Sequence, residues 1–337
     1  MLNYKTRRLH VILLTLLIAF LIMSLYTVAT ADTIVMKLAH IQPPTHPEQK
    51  VHEFFAKRLN ELSGGKIEVV IYPSSSLGDE RETIDLLSRG SLDFARESSM
   101  IMTNMTDLYQ VLNLPFLFRD REECMMFVNS KEFNDLVEPW VNKNGIKTLA
   151  YYYAGPRVIY ANKPIHSLAD LKGLKIRLPE TRAMLDIFSA LGANPTPISY
   201  SELATALSTG IVDGAEGPPV SYIVNEYYRA SPNLITESHM EQSMVFLMSM
   251  KSWDSLSPDL QEAVLQASKE TSIKMEEMFV EETIKAFQKA EELGLYLHVP
   301  EDMDEWRKIA QDQHYKIVEK ISPDLVKLLD WFYAQRK

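Results

Sequence analysis

The amino-acid sequence predicts an α/β protein with two lobes, and three features carry that prediction. Segments typical of strands and helices alternate over residues 33–94, which favours a mostly parallel sheet covered by helices. Similar α/β segments recur beyond residue 150. A long amphipathic helix predicted at 257–294 is long enough to pack across both lobes.

The first lobe is predicted at residues 32–153, with part of 239–280. β-branched and apolar residues predict its strands, and Gly64 and Gly65 end its first amphipathic helix. Its elements, in order, are a strand at 33–40, a helix with an apolar face from Val51 to Leu62, a strand at 66–73, a helix, a strand opening at Leu92, a helical region at 105–145 and a strand at 146–153.

The second lobe is predicted at residues 154–238, with part of 281–337. Ser199 and Glu202 have the spacing of a capping box, so a helix is predicted to start near Ser199. The other elements, in order, are strands at 155–165 and 174–178, a helix at 181–193, a strand at 211–215 and a strand-like segment at 239–253 that precedes the long helix.

The N-terminus has the form of a secretory signal. Lys5, Arg7 and Arg8 precede an apolar run, and Ala29-Thr30-Ala31 follows with the small residues of a signal-peptidase site. We therefore expect a signal peptide at residues 1–31, cleavage after Ala31, and a protein of the periplasm or extracytoplasmic space. An uncleaved membrane anchor is the alternative, because the apolar run approaches the length that spans a membrane.

Composition excludes several classes of function. The net charge is −10, and the sequence shows no basic face or stripe of the kind that binds nucleic acid, so a nucleic-acid partner is not expected. The single cysteine, Cys124, allows no intramolecular disulfide and no cysteine-based metal site, and its apolar neighbours place it in the core.

Motifs for catalysis or cofactor binding are not found in the sequence. It contains no GxSxG, HExxH, P-loop or GxGxxG pattern. His40 and His46 lie close together near a loop, but the histidines do not follow metal-binding spacing. Asp213 and Glu216 flank a turn and would suit acid–base work, yet no nucleophile stands near them. We predict no cofactor and no metal, and keep an enzyme on this scaffold as an alternative.

Polar residues at predicted strand ends are the remaining candidates. Arg177 ends one strand, Arg157 begins another, and Glu216-Gly217 follows a third. An arginine at the end of a buried strand forms either a structural ion pair or an anchor for an anionic ligand. Because ligands of open α/β sheets bind beyond the strand ends, these residues favour the anchor.

Five motifs, in this order and spacing, give the chain a family resemblance from about residue 34 to about residue 325. It resembles the extracytoplasmic solute-binding proteins of tripartite ATP-independent periplasmic (TRAP) transporters, in the dicarboxylate- and sialic-acid-binding family. The motifs are YPSSSLGDERETIDLLSRGSLDF (72–94), LNLPFLFRD (112–120), GPRVIYANKPIHSLADLKGLKIRLPE (155–180), LGANPTPISYSELATALSTGIVDGAEGP (191–218) and LSPDLQEAV (256–264).

The resemblance implies a periplasmic-binding-protein-like fold with a ligand cleft between two lobes and the long helix bridging them. Such a protein closes around an organic acid and delivers it to the small and large subunits of a membrane permease. A ligand-sensing partner for a membrane receptor would use the same pocket and stays open. A monomer is expected, and a dimer is open if the segment 325–333 exposes its apolar face.

The resemblance also implies the site residues. Arg177 occupies the position whose arginine forms a two-pronged salt bridge with the ligand carboxylate, and Arg157 is a second positive contact. The remaining candidates are Tyr200, Tyr153, Glu97, Ser98 and Ser99, together with Glu180, Glu216, Gly217, His40 and His239.

Two departures from the family pattern bear on the ligand. Gly217 stands where many relatives have an asparagine that contacts the ligand, and Ser98 stands about where sialic-acid binders have a glutamate. Sialic acid is therefore disfavoured. We expect a sugar acid such as a uronate or an aldonate, with C4 dicarboxylates, keto acids and zwitterions open.

Overall fold

The computed structural model describes Thr15 and residues 33–336. The predicted signal peptide and its cleavage after Ala31 lie outside the described residues, apart from Thr15. Within the part of the chain that is described, no helix is both long enough and apolar enough to cross a membrane.

A ten-stranded mixed sheet organises the described residues. The order of its main path is β2-β1-β3-β9-β4-β7-β5-β6, and β8 pairs with β4 and β10. The strands are β1 (Ile34–Ala39), β2 (Ile67–Tyr72), β3 (Phe94–Ser98), β4 (Ile146–Ala161), β5 (Lys175–Leu178), β6 (Asn194–Pro197), β7 (Gly214–Gly217), β8 (Asn233–Ile235), β9 (Met240–Ser249) and β10 (Tyr296–His298).

The prediction of a mostly parallel sheet is wrong for the centre of the sheet. β1 pairs with β3, and β5 with β6 and β7, in parallel. β9, however, lies between β3 and β4 and is antiparallel to both. The reason is topological, because the chain returns from the second half of the sheet and inserts β9 into the middle.

β4 is one continuous strand where the sequence predicted two. The Gly155-Pro156 step indicated a turn, but the structure absorbs it as a register shift between Tyr153 and Pro156. Gly155 has φ +89°, a conformation that side chains rarely adopt. The early part of β4 pairs with β9 and its end pairs with β7, so β4 joins the first half of the sheet (β1–β3, β9) to the second (β5–β8, β10).

The helix at Pro258–Glu292 confirms the long helix predicted at 257–294. Pro258 occupies its first turn, and Gly294, with φ +69°, follows its end. It packs against β4, the helix Glu48–Leu62 and the helix Pro219–Val224, so it contacts both halves of the sheet. The lobe boundaries themselves stay a prediction.

The other described helices cover the two faces of the sheet. The α-helices are Glu48–Leu62, Glu80–Arg89, Arg121–Val128, Lys131–Lys143, Leu168–Leu171, Arg182–Ala190, Leu203–Ser208, Pro219–Val224, Met250–Asp254, Met303–Glu319 and Pro323–Gln335, and short 3-10 helices span Ile101–Asn104, Asp107–Asn113 and Tyr227–Arg229.

The capping box predicted at Ser199 and Glu202 is wrong. The helix begins at Leu203 with Glu202 as its N-cap, while the Ser199 Oγ donates to the Glu202 carboxylate at 2.9 Å. Ser199 therefore belongs to a loop before the helix. Ser167 and Asp170 form a capping box instead, at the helix Leu168–Leu171.

The C-terminal segment packs on the protein itself. In the helix Pro323–Gln335, the apolar side chains of Leu325, Leu329 and Phe332 are fully buried. The Phe332 ring meets the Phe127 ring at 5.2 Å, edge to face. The apolar face at 325–333 is therefore not exposed, and it gives no support to a dimer. Cys124 is buried in the same core, as predicted.

Candidate ligand-binding site

A cavity of about 440 Å³ lies at the strand ends, and residues from both halves of the sheet line it. This volume is within the usual range for small-molecule sites. Seven of the predicted residues line it, namely Ser98, Arg157, Arg177, Glu180, Tyr200, Glu216 and Gly217. Sequence reasoning missed other lining residues, among them Gln42, Asp79, Arg81, Arg96, Tyr160, Ser201 and Gln242.

Arg177 is a buried cation with no carboxylate partner among the described residues. Its side chain, at the end of β5, is 3% exposed. Its Nε donates to the Ile198 carbonyl at 2.8 Å, and no carboxylate lies within the 4.0 Å of an ion pair. Burial lowers the pKa of Arg177, yet a guanidinium stays protonated in proteins. Glu216 opposes that shift from beyond ion-pair distance, and a buried charge without an ion-pair partner favours an anionic ligand.

Arg157, in contrast, is already neutralised. Its Nε and Nη2 donate to the two oxygens of Glu216 at 2.5 and 2.6 Å, and its Nη1 donates to Gln242 at 2.8 Å. His239 Nε2 lies 3.2 Å from the same carboxylate. Burial alone would raise the pKa of Glu216, but Arg157 and His239 bring it down to about 2. Arg157 therefore reaches the cavity as half of an ion pair.

Arg96 is a third buried arginine on the cavity wall, in β3 of the first half of the sheet. It pairs with Glu48 and lies 3.8 Å from Glu80. Burial would lower the pKa of Arg96, but Glu48, Tyr152 and Glu80 together raise it above the ordinary value. A signal for Arg96 was present in the sequence, because an arginine inside a buried strand is the feature that singled out Arg177.

The pleat of β3 decides which of its side chains reach the cavity. Arg96 and Ser98 line it, whereas Glu97 and Ser99 are buried away from it. Successive side chains of a strand point to opposite faces, so alternate residues share the cavity. Glu97 instead accepts a hydrogen bond from Thr83 Oγ1 at 2.5 Å, and burial raises its pKa well above the ordinary value.

Three further predicted residues are also buried outside the cavity lining. The Tyr153 hydroxyl donates to the Glu241 carboxylate. His40 lies beside His52, with ring centroids 4.6 Å apart. His239 contacts Glu216 rather than the cavity, so it acts on the site through the Arg157–Glu216 pair.

Two hydrogen bonds close the cavity by joining loops from the two halves of the chain. The Tyr200 hydroxyl donates to Gln42 Oε1 at 2.9 Å, and Ser201 Oγ donates to Asp79 Oδ2 at 2.6 Å. Asn225 Nδ2 donates to the Tyr200 hydroxyl at 3.0 Å and orients it. These bonds link the two sides of the cavity directly.

Neither acid–base candidate fits a catalytic role. Asp213 Oδ2 accepts the backbone N–H of Lys175 at 2.9 Å and so has a structural partner. Glu216 has a pKa of about 2 and is locked to Arg157. A general base works best with a pKa near the operating pH, which Glu216 does not have. The arrangement is suited to holding an anion.

Comparisons with known proteins agree with this geometry. The family described as "Bacterial extracellular solute-binding protein, family 7" matches residues 38–321. The C4-dicarboxylate-binding periplasmic protein DctP of Vibrio cholerae is 28% identical over 298 residues, covering 87% of this chain and 89% of the relative.

Solved structures of TRAP and sugar-acid binding proteins are also similar to this chain. A TRAP periplasmic solute-binding protein of a Bradyrhizobium species, in complex with galacturonate, has a TM-score of 0.83 and 32% identity, covering 89% of this chain and 99% of its own. The sugar acid binding protein DctPAm of Advenella mimigardefordensis, in complex with galactonate, has a TM-score of 0.86 and 25% identity, covering 90% of this chain and 99% of its own.

TRAP solute-binding proteins have two lobes with a ligand cleft, bind small carboxylates in the periplasm and work with membrane permease subunits. The related proteins are binding proteins and not enzymes. Because the family match covers most of the chain, the protein belongs to the bacterial extracellular solute-binding proteins of family 7, the periplasmic solute-binding proteins of TRAP transporters.

Proposed function

We propose that this protein captures a sugar monoacid, a uronate or an aldonate, and delivers it to the small and large subunits of a TRAP permease. The observation that carries the proposal is Arg177, a buried guanidinium in the cavity with no carboxylate partner among the described residues. A ligand carboxylate would accept two hydrogen bonds from its planar fork. Closure removes water from this pair and strengthens it.

The charge balance of the cavity favours one carboxylate over two. Arg157 pairs with Glu216, and Arg96 pairs with Glu48 while its Nε and Nη1 have no hydrogen-bond partner among the described residues. Arg177 is therefore the one of these three arginines that has no carboxylate within ion-pair distance. Arg81 also lines the cavity, but its side chain is exposed to solvent, where an ion pair contributes little. A C4 dicarboxylate would therefore find one strong anchor where it needs two.

The remaining lining residues suit a ligand with several hydroxyl groups. The carboxylates of Asp79, Glu180 and Glu202 line the cavity, and carboxylate oxygens can accept hydrogen bonds from ligand hydroxyls. Gly217 lines the cavity beside Tyr160 and Arg157, where it adds no side chain. The sugar acids bound by the Bradyrhizobium and Advenella relatives support the same ligand class.

A thermal-shift screen with calorimetric follow-up tests the proposal. The purified protein is first freed of bound ligand by partial unfolding and dialysis. It is then screened against galacturonate, glucuronate, galactonate, succinate, pyruvate and sialic acid. A ligand that binds only the folded state raises the melting temperature. We expect the largest shift with a uronate or an aldonate, whereas a larger shift with succinate would reject the sugar-monoacid assignment.

The role in delivery has its own test, because ligand binding alone does not establish transport. The permease genes and the gene for this protein are expressed together in a host that cannot take up the identified acid. Uptake of the labelled acid should require both. Uptake that is equal without this protein would contradict the delivery role and leave the binding assignment intact.

A further inference from the structure

Behind the cavity wall formed by Arg96, three histidines and a glutamate gather in the protein interior. His40 follows β1, His46 lies in the next loop, and Glu48 and His52 stand one turn apart on one helix. Their exposed fractions are 2%, 1%, 0% and 0% respectively. Such polar side chains are normally hydrogen-bonded when buried.

This histidine pocket (His40, His46, Glu48 and His52) contains several polar atoms without a partner. Both ring nitrogens of His52, the Nδ1 of His40 and the Oε2 of Glu48 have no hydrogen-bond partner within the described residues. Arg96 occupies only the other oxygen of Glu48. Leaving such groups unpaired in the interior costs free energy, so the arrangement indicates a missing occupant.

The hydrogen bonds around His40 fix which of its nitrogens is free. Gln49 Nε2 donates to Glu53 Oε1 at 3.0 Å, so the Gln49 amide oxygen is the atom that faces His40. That oxygen lies 2.9 Å from His40 Nε2, which must therefore carry the proton. Nδ1 then has the lone pair and faces the pocket without a partner. In a metal-ligating histidine, the ring nitrogen that does not bind the metal typically donates a hydrogen bond to a neighbouring oxygen, as Nε2 does here.

We propose that His40, Glu48 and His52 bind a zinc ion through His40 Nδ1, the free Oε2 of Glu48 and a ring nitrogen of His52. One potential ligand atom from each of the three residues lies within 4.8 Å of the others. Two ligand atoms that bind one zinc ion at about 2.0–2.2 Å are at most roughly 4 Å apart. The ligand atoms of His40, Glu48 and His52 must therefore move slightly closer together by side-chain rotation when the ion binds. Two histidines and one carboxylate are a common zinc set, and a water takes the fourth position.

His46 has a different role from the other two histidines. Its Nδ1 accepts the backbone N–H of Glu48 at 3.2 Å, so its Nε2 carries the proton. Nε2 has no partner among the described residues and is a hydrogen-bond donor. It is therefore suited to an oxygen atom such as the zinc-bound water, and not to the zinc ion.

The test uses the purified protein after chelator treatment and needs no organic acid. Cobalt(II) is added as a probe for the zinc site, and visible absorption reports four-coordinate binding, with zinc then displacing it. We expect one equivalent per chain. His52→Gln and Glu48→Gln should each weaken binding more than about 100-fold, and Gln49→Leu, which releases His40, about 10–100-fold.

His314→Gln is the matched control, because His314 is also buried but both its nitrogens have partners, Tyr333 Oη at 2.9 Å and the Pro115 carbonyl at 2.8 Å. Circular dichroism confirms that each variant is folded, and Gln49→Leu decides the matter if the other two unfold. The proposal is overturned if the wild type binds neither cobalt nor zinc. It is equally overturned if binding survives in the folded pocket variants or is lost only in His314→Gln.

Discussion

The two walls of the cavity use the same residue type in opposite ways. On the wall formed by the first half of the sheet, Arg96 pairs with Glu48 and lies near Glu80, so its positive charge is balanced inside the protein. On the second-half wall, Arg177 has only the Ile198 carbonyl as an acceptor. Both side chains are almost fully buried. The difference between them is therefore not burial but a carboxylate within ion-pair distance, which Arg96 has and Arg177 lacks.

This comparison indicates how the site divides its work. A balanced buried ion pair is rigid and contributes shape, because separating its charges in the interior is costly. Arg177 is held by its hydrogen bond to the Ile198 carbonyl, and the proposed function assigns its charge to the ligand. Arg157, paired with Glu216, belongs with Arg96 in this respect, although only β7 separates its strand from that of Arg177.

The largest expected effect comes from removing the carboxylate that pairs with a buried arginine. Glu216→Ala leaves the Arg157 guanidinium buried without its bidentate partner, and loss of one member of a buried pair costs about 3–5 kcal/mol. We expect the free energy of unfolding, measured by urea denaturation, to fall by that amount. Glu226→Ala removes an exposed carboxylate paired with Arg229 and should leave the free energy of unfolding close to that of the wild type. Equal effects in the two variants would contradict the distinction.

Replacing Arg177, the buried arginine without an ion-pair partner, should weaken ligand binding rather than reduce folding stability. Arg177→Ala is expected to weaken binding of the identified acid by about 2–5 kcal/mol, measured by calorimetry, because the carboxylate loses its anchor. Stability without ligand should be unchanged or higher, since an unpaired buried charge is removed. Arg81→Ala, at an exposed lining position, is the control and should cost far less. Affinity close to that of the wild type in Arg177→Ala would end the anchor hypothesis.

The histidine pocket beside Arg96 should show in the pH dependence of stability. The folded-state pKa of His52 is lowered from 6.5 by burial, so its stabilising contribution is complete above pH 6.5 and is lost as the pH falls. In metal-free protein, the stability of the wild type relative to His52→Gln should fall by up to about 1.4 kcal/mol per pH unit below 6.5. Urea denaturation at pH 7, 6 and 5 measures this difference. A constant difference across that range would contradict a neutral buried His52.

The smallest expected effect concerns the contact between the two walls. Tyr200→Phe removes the hydroxyl that accepts from Asn225 and donates to Gln42, while the ring stays. Of these two bonds, only the one to Gln42 joins the two walls of the cavity. A single hydrogen bond contributes about 0.5–1.5 kcal/mol, so affinity should fall by roughly 2- to 10-fold. We expect the loss in the dissociation rate, measured by stopped-flow fluorescence. Ser208→Ala, on an exposed helix end, serves as the control, and a Tyr200→Phe rate matching that control would exclude the closing role.

Much of the fold could be predicted from local patterns. The alternation of strands and helices over 33–94 and the long helix near 257–294 are confirmed, because apolar periodicity and glycine or proline boundaries are local signals. The continuous β4 and the central antiparallel β9 were missed. Both depend on pairing between distant segments, and a glycine–proline step gives the same signal whether it forms a turn or a bulge.

The candidate site was predictable in outline. Motif positions placed Arg177, Gly217 and Tyr200 on the cavity wall. The same reasoning included Glu97 and Ser99, which do not line the cavity, and it omitted Arg96, the residue just before Glu97. Choosing among neighbours in a strand requires its pleat and register, which one sequence does not specify when both faces are buried.

By itself, the sequence determined the α/β class and the family, and it predicted a secretory-type N-terminus and Arg177 as an anchor for a carboxylate. Only the tertiary structure showed which of the buried arginines have a carboxylate within ion-pair distance and that Arg177 does not. Glu48 and Arg96 pair although they are 48 positions apart in the chain, and Glu216 and Arg157 pair although they are 59 positions apart. No local sequence pattern links the members of either pair. A charge acquires its role from the neighbours that desolvate and pair it, and those neighbours exist only once the chain has folded.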